Sequence, residues 1–352
     1  MLTLLIGDNV KHEIDLKKFE LRTDLAIETI ENKHNIEGII SKIERINDLL
    51  ITDVYIDDIG SNKLNKKVGN YITIEFDDVT DETNRKKVEE VFVYKLKELL
   101  KKKKIKKKDS CFVIGLGNEK STPDSLGPLS SSKVIVTNHL FELGELSSKY
   151  RRVWALSPGV MGNTGMETSD IIGSIIKTIK PSFLIVIDAL ASQSLDRVNR
   201  TIQITDTGIS PGGGIGNNRK EISEDILGIP VFAVGVPTTV DAVTIVSDTI
   251  NYMYKHFSYL KNNINNPSNK LMIGTPNYLK KNITIDEKDK SDLLGLVGNL
   301  TENETRQLIS EVLTPVGYNL MVTPKEVDFI IEKLSDVIGN GINKVIHNRK
   351  NF

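Results

Sequence analysis

The chain has 352 residues, 39% of them hydrophobic and 26% charged, with a net charge of -1. That is enough apolar material for one large domain or two modest ones, and it leaves no overall field to draw the protein to nucleic acid. No run is apolar for the length of a membrane span, residues 1–8 lack the basic start and long apolar core of a signal peptide, and the single cysteine, Cys111, permits no internal disulfide and points to a reducing compartment.

Residues 1 to about 24 read as a leader, with a short turn at 14–19 followed by the segment Leu21-Arg22-Thr23-Asp24-Leu25-Ala26-Ile27-Glu28. Residues 36–43 and 71–76 alternate like strands. Val88, Val91, Phe92, Leu96, Leu99 and Leu100 fall on one face of a helix over 88–100. It leads into a basic tract, Lys101 to Lys108. With no interleaved aromatic for base stacking, that tract reads as a solvated helix end, where the dipole favours cations.

From 111 to about 257 buried strands alternate with helices. The strands are 111–116, 152–156, 183–187 and 231–236, and the helices are about 127–143, 171–179 and 241–257. The segment 201–205 alternates, which reads as a half-buried or edge strand. Thr168-Ser169-Asp170 can cap the helix that follows it, which Pro181 stops. This succession predicts an α/β fold with a mainly parallel central sheet and helices on both faces. Residues 258–310 are polar and rich in Asn and Lys, which suggests a surface insertion. A last helix over about 323–347 carries a capping box, Thr323 with Glu326, and Pro324 at its first position. Its face of Val327, Ile330, Ile331, Leu334, Val337 and Ile338 should pack on the body.

Three of the buried strands lead into an aspartate: Asp124 in a glycine-broken loop, Asp188 directly after five apolar residues, and Asp241. Parallel strands deliver their carboxyl ends to one edge of a sheet, where open α/β folds bind ligands. Asp124 taken alone reads first as a helix cap, and Asp241 reads as an ordinary first-turn helix acid. Asp188 is the sharpest candidate, because a charge that close to a core needs partners or a raised pKa. Two carboxylates at one site do not ionise together easily, so one can hold a proton while the other activates water. The glycine loop at 212–216 is either a connector or the lining of a substrate groove, with Gly212, Gly213, Gly214 and Thr238 as the candidate lining residues. His12, His34, His139, His256 and His347 are scattered without zinc-ligand spacing, the sequence contains no His-Glu-x-x-His, and no Gly-x-Ser-x-Gly elbow precedes a helix. No metal site is expected on this ground.

Several ordered motifs resemble one family, the germination proteases of spore-forming bacteria. They are the segment 22–28, Gly115-Leu116-Gly117-Asn118 with Thr122 to Pro128, Ser157 to Thr168, Ile187-Asp188-Ala189-Leu190-Ala191-Ser192, Thr201 to Ile204 with Asp206 to Ile209, and Gly228-Ile229-Pro230 through Thr238. The resemblance implies an endopeptidase made as a zymogen that removes its own N-terminal propeptide. It implies cleavage of small acid-soluble spore proteins after an acidic residue, in the context Thr-Glu, then an apolar residue, Ala, Ser and Glu. Thr23-Asp24-Leu25-Ala26-Ile27-Glu28 imitates that context, so the bond expected to be cut is Asp24–Leu25. This leaves residues 1–24 as propeptide and 25–352 as one catalytic domain with its core at 111–257. The family's two catalytic aspartates carry over onto Asp124 and Asp188. The resemblance further implies a homotetramer in the cytoplasm of the spore, with no membrane or direct nucleic-acid role and no cofactor. Its fold is similar to that of the hydrogenase maturation endopeptidases, whose acids bind a metal, and this keeps a divalent-metal mechanism as the alternative.

Overall fold

A computed structural model describes residues 23–31, 36–146, 150–212, 219–263, 287–313 and 320–347. It divides into two compact units, one of Arg22–Val240 with Val322–Phe352 and one containing Asp241–Met321.

In the larger unit, α1 (Ala26–Glu31) is followed by a hairpin of β1 (Ile39–Ile46) and β2 (Leu49–Ile56). Asn47 and Asp48 turn that hairpin, both with positive φ, 53° and 68°, as a two-residue turn between right-twisted strands requires. Alternation predicted only the first of these strands. Next come α2 (Asp58–Leu64), capped by Asp57, then β3 (Gly69–Glu75) and α3 (Glu82–Lys102), capped by Asp81. The parallel part follows: β4 (Cys111–Gly115), α4 (Leu126–Ser132), α5 (Asn138–Glu142), β5 (Val153–Leu156), α6 (Met161–Thr164), α7 (Thr168–Ile179), β6 (Phe183–Ser192), β7 (Thr201–Thr205), α8 (Glu224–Leu227) and β8 (Val231–Asp241).

The strand order is β1-β2-β3-β7-β8-β6-β4-β5. The last four are parallel to one another, and the pairings from β1 through β7 to β8 are antiparallel. The fold is thus α/β, with a mixed sheet whose parallel part carries the candidate acids. One face of the sheet packs on α3, α4 and the last helix of the unit, in a core that includes Ile185, Ile187, Ile202, Ile204, Val234 and Val236. The other face packs Leu184 and Val186 of β6 against Ile172 and Ile176 of α7.

Four local expectations are corrected. The strand at 201–205 is neither half-buried nor an edge: β7 is buried throughout and lies between β3 and β8. Its polar alternation reflects a second covering layer rather than solvent, as the site makes plain. The helix over 127–143 is broken into α4 and α5. Asn343 and Arg151 claim the chain between them: the Asn343 Oδ1 accepts the Ile135 N–H at 2.8 Å and Thr137 Oγ1 donates to the Arg151 carbonyl at 2.6 Å. Asp188 does not follow its strand but lies inside it, because β6 continues to Ser192 beside β8. Finally, the last helix, which runs Val327–Ile346 without a side-chain cap, starts after the Thr323 box; Thr323 Oγ1 instead donates to the Thr238 carbonyl at 2.9 Å. The face expected to pack does so, with Ile331, Leu334, Val337 and Ile338 fully buried.

The smaller unit contains α9 (Ala242–Asn263), α10 (Glu287–Leu294) and α11 (Glu302–Leu313). Helices therefore occupy part of the polar region 258–310. Asp241 behaves as the helix acid expected of it: its Oδ1 accepts the Val243 N–H at 2.7 Å at the start of α9.

Candidate active site

Asp124 is presented by a single 3-10 turn, Thr122–Asp124, between β4 and α4. Three glycines make that turn possible. Gly117 has φ of +109°, and a Cβ there would lie 2.1 Å from the Asp124 carbonyl oxygen. Gly115 and Gly127 face each other so closely that a side chain on either would strike backbone, at 2.2 Å from the Gly127 oxygen and 2.1 Å from the Leu116 oxygen respectively. The start of α4 is thereby drawn down onto the ends of β4 and β6. The Asp124 Oδ2 accepts the Asn118 N–H at 2.7 Å. Thr238 supports the turn from below. It sits at an irregularity where β8 gains a residue on β6, is buried, and donates its Oγ1 to the Pro123 carbonyl at 2.7 Å.

Asp188 lies in β6 and is 7% exposed. Its Oδ1 accepts the N–H of Ala189 at 2.9 Å. Burial pushes its pKa well above the usual carboxylate range, and the charges of Asp124 and Asp24 push it further, against the Ala189 bond and the charge of Arg219. Asp124 is also raised by burial, but the Asn118 hydrogen bond and Arg219 oppose the rise. The two acids therefore sit within electrostatic reach of one another. Their environments separate them, with Asp188 favouring the protonated form and Asp124 better equipped to carry charge.

The N-terminal segment lies on the same face of the sheet. Leu25 and Ile27 are buried against Leu190, which shares a face of β6 with Asp188 because side chains alternate along a strand. The Asp24 N–H reaches the Ala191 carbonyl at 3.5 Å, and the Ala191 N–H donates to Asp24 Oδ2 at 2.9 Å. Glu28 is 4% exposed and is met by Ser192 Oγ at 2.5 Å, the Gln193 N–H at 2.9 Å, Arg197 Nη1 at 3.6 Å and Thr23 Oγ1. Gln203, from the buried polar row of β7, accepts the Ala26 N–H at 2.8 Å and donates Nε2 to the Asp24 carbonyl at 3.2 Å. Lys66 Nζ donates to the Thr23 carbonyl at 2.9 Å and the Asp24 carbonyl at 3.4 Å.

Asp124, Asp188, Asp24 and Leu25 are thus brought to one place. Of the candidate groove residues, Gly212 has a positive φ of 70°, Gly213 and Gly214 lie outside the described residues, and Thr238 acts beneath the Asp124 turn. Sequence reasoning missed Gln203, Lys66, Ser192 and Arg197. The available signal was Gln203, an amide in the middle of an otherwise well-formed strand; Lys66 left none. A divalent ion would have Asp124 and Asp188 as donors. Among the described residues no group of three His, Cys, Asp or Glu stands together, which falls short of the three protein ligands usual for a catalytic zinc.

The chain is 46% identical over 357 residues to the germination protease of Bacillus cereus strain 03BB102, covering 97% of each chain, with the same identity and coverage for that of Bacillus anthracis. The germination protease of Bacillus thuringiensis subsp. konkukian is 46% identical over 356 residues, again with 97% of each chain covered. Among solved structures, the [NiFe] hydrogenase maturation protease HycI of Thermococcus kodakarensis aligns at 17% identity with a TM-score of 0.26, over 40% of this chain and 79% of that one. The germination protease family profile matches residues 16–351. The chain belongs to the germination protease family, peptidases of spore germination.

Proposed function

We propose that this protein is a self-processing endopeptidase that cuts its own Asp24–Leu25 bond. Residues 1–24 would leave as propeptide, and residues 25–352 would then degrade small acid-soluble spore proteins in the spore cytoplasm as a homotetramer. The observation that carries the reading is the seating of Thr23–Glu28. This segment lies against the strand that holds Asp188, with an acidic residue before the expected bond and another four positions after it, each met by dedicated donors. A substrate with the same pattern of acids would find the same donors.

In this reading Asp124 is the ionised partner that takes a proton from water, and Asp188 holds the proton that the leaving nitrogen receives. A general base must be ionised at the working pH and a general acid protonated. The separated environments of the two acids support that division. Among the described residues no helix is long and apolar enough to cross a membrane.

The test is intact mass with N-terminal sequencing after incubation of wild type, Asp124→Asn and Asp188→Asn. A new N-terminus at Leu25 in wild type alone is the expected result. Processing at the wild-type rate in either variant would remove that aspartate from the mechanism.

A further inference from the structure

The chemistry of peptide cleavage places one demand that the two aspartates do not meet. When water adds to the Asp24 carbonyl carbon, its oxygen takes on negative charge, and that charge needs donors already in place. The Asp24 carbonyl oxygen has two of them, Gln203 Nε2 at 3.2 Å and Lys66 Nζ at 3.4 Å. Gln203 does more than donate. Its Oε1 takes the Ala26 N–H at 2.8 Å, so one carboxamide bridges the residue before the bond and the second residue after it. The amide orientation is fixed by this arrangement, since a backbone N–H can only donate and a carbonyl can only accept.

The sheet holds this carboxamide in place. Gln203 and Asp188 both pair with Gly235, from opposite sides. Directly paired residues point to the same face, so the amide and the acid face the segment together. β7 is an interior strand whose neighbouring positions, Ile202 and Ile204, are in the apolar core on the other face.

We propose that Gln203 and Lys66 form the oxyanion site of this protease, Gln203 also clamping the scissile bond. The inference rests on the functional reading above. Water adds to the Asp24 carbonyl carbon and loses its proton to Asp124; the carbonyl π pair moves to the oxygen, which Gln203 and Lys66 stabilise. The pair then returns, the C–N bond breaks, and the Leu25 nitrogen takes the proton of Asp188. The products are the Asp24 α-carboxyl group and the Leu25 amine, and one proton passing from Asp124 to Asp188 restores the pair.

The experiment measures the rate at which the full chain acquires a Leu25 N-terminus, in wild type, Gln203→Glu and Lys66→Met. Asp124→Asn serves as the inactive control, and hydrogen exchange at Ala26 reports whether the segment stays seated. Gln203→Glu keeps an acceptor for the Ala26 N–H but replaces the donor with an anion. The expected result is a rate lower by about 10²- to 10³-fold in each variant, the usual effect of removing one oxyanion donor, with Ala26 still protected in Gln203→Glu. A rate within threefold of wild type in both variants would overturn the proposal while leaving the functional reading intact. So would a rate loss that only tracks loss of Ala26 protection, which indicates seating alone. If wild type leaves the Asp24–Leu25 bond whole, the functional reading itself fails, and this inference fails with it.

Discussion

Gln203 of β7 and Asp188 of β6 stand on one rung of the sheet, each paired with Gly235 of the strand between them. Neighbouring strands are about 4.8 Å apart, so the two backbones are separated by roughly twice that and their side chains face the same way. Between them is the one residue type with no side chain. The space over Gly235 is taken by Leu190, since a Cβ on Gly235 would fall 2.4 Å from Leu190 Cδ1. Leu190 is in turn the apolar floor for Leu25 and Ile27. An acid, a floor and an amide clamp thus follow from a three-strand register.

Asp188 should cost the protein stability at neutral pH. Its carboxyl is raised in the folded chain by burial, then by Asp124 and Asp24, while in the unfolded chain it titrates near 4. Below that pH both states hold the proton and the group is neutral in its effect. As pH rises above it, the unfolded state ionises first and gains, so the folded state loses ground until the folded pKa is passed. Each unit of difference is worth about 1.4 kcal/mol. Asp188→Asn removes the effect. Thermal unfolding at pH 5 and pH 8 should show the variant gaining on wild type at the higher pH. An equal difference at both pH values would show that Asp188 is not raised.

Much of this was legible in the sequence, for definable reasons. Runs such as Phe183–Ile187, short and set off by Pro181, read as buried strands, and an aspartate against such a run is anomalous by itself. Gly115 and Gly117 marked the loop that carries Asp124, but the close packing of Gly115 on Gly127 came only with the fold. The antiparallel half was less legible because β1 keeps much of its length exposed and β2 is joined to it by two residues, Asn47 and Asp48, rather than a longer loop. β7 was misjudged because alternation was taken for a water-facing side. Thr201, Gln203 and Thr205 are buried, and the cover over Gln203 comes from a segment 177 residues away in sequence. The pairing of Glu28 with Arg197 and Ser192 is equally remote, and no local pattern encodes it.

Gly117→Ala should damage the Asp124 turn without replacing either acid. The substitution forces a side chain into a φ of +109° and toward the Asp124 carbonyl oxygen. Strain of this kind costs about 1–3 kcal/mol. The protein can relieve it only by moving Asp124, and a shift of about 1 Å at a reacting group can cost on the order of 100-fold in rate. Denaturant unfolding and the rate of appearance of the Leu25 N-terminus should both fall. Normal processing with normal stability would mean that the turn relaxes without displacing Asp124.

Thr238→Val is the milder version of the same test. Valine keeps the shape of threonine but loses the hydrogen bond to the half-buried Pro123 carbonyl, at a cost of about 1 kcal/mol. Thr238→Ser retains the hydroxyl. Processing should slow in the valine variant and recover in the serine variant. Equal rates in the two would show that the hydroxyl does not hold the turn.

Arg197 should determine how strongly an acid is required four residues after the cut. Its guanidinium is 3.6 Å from Glu28 and its Nε is 3.3 Å from Glu75. Glu28 also accepts from Ser192 Oγ and the Gln193 N–H, so positive charge and neutral donors both meet it. Replacing Glu28 by Gln leaves an amide among donors suited to a carboxylate, and Arg197→Met removes the guanidinium beside the buried carboxylate. Each change alone should slow processing. Together they should cost less than the sum, by about 1–2 kcal/mol, because residues in direct contact are coupled. The measurement is a double-mutant cycle on the first-order processing rate, with Glu75→Gln as a control for the other partner of Arg197. Strict additivity of Arg197→Met and Glu28→Gln would show that the arginine does not read the acid.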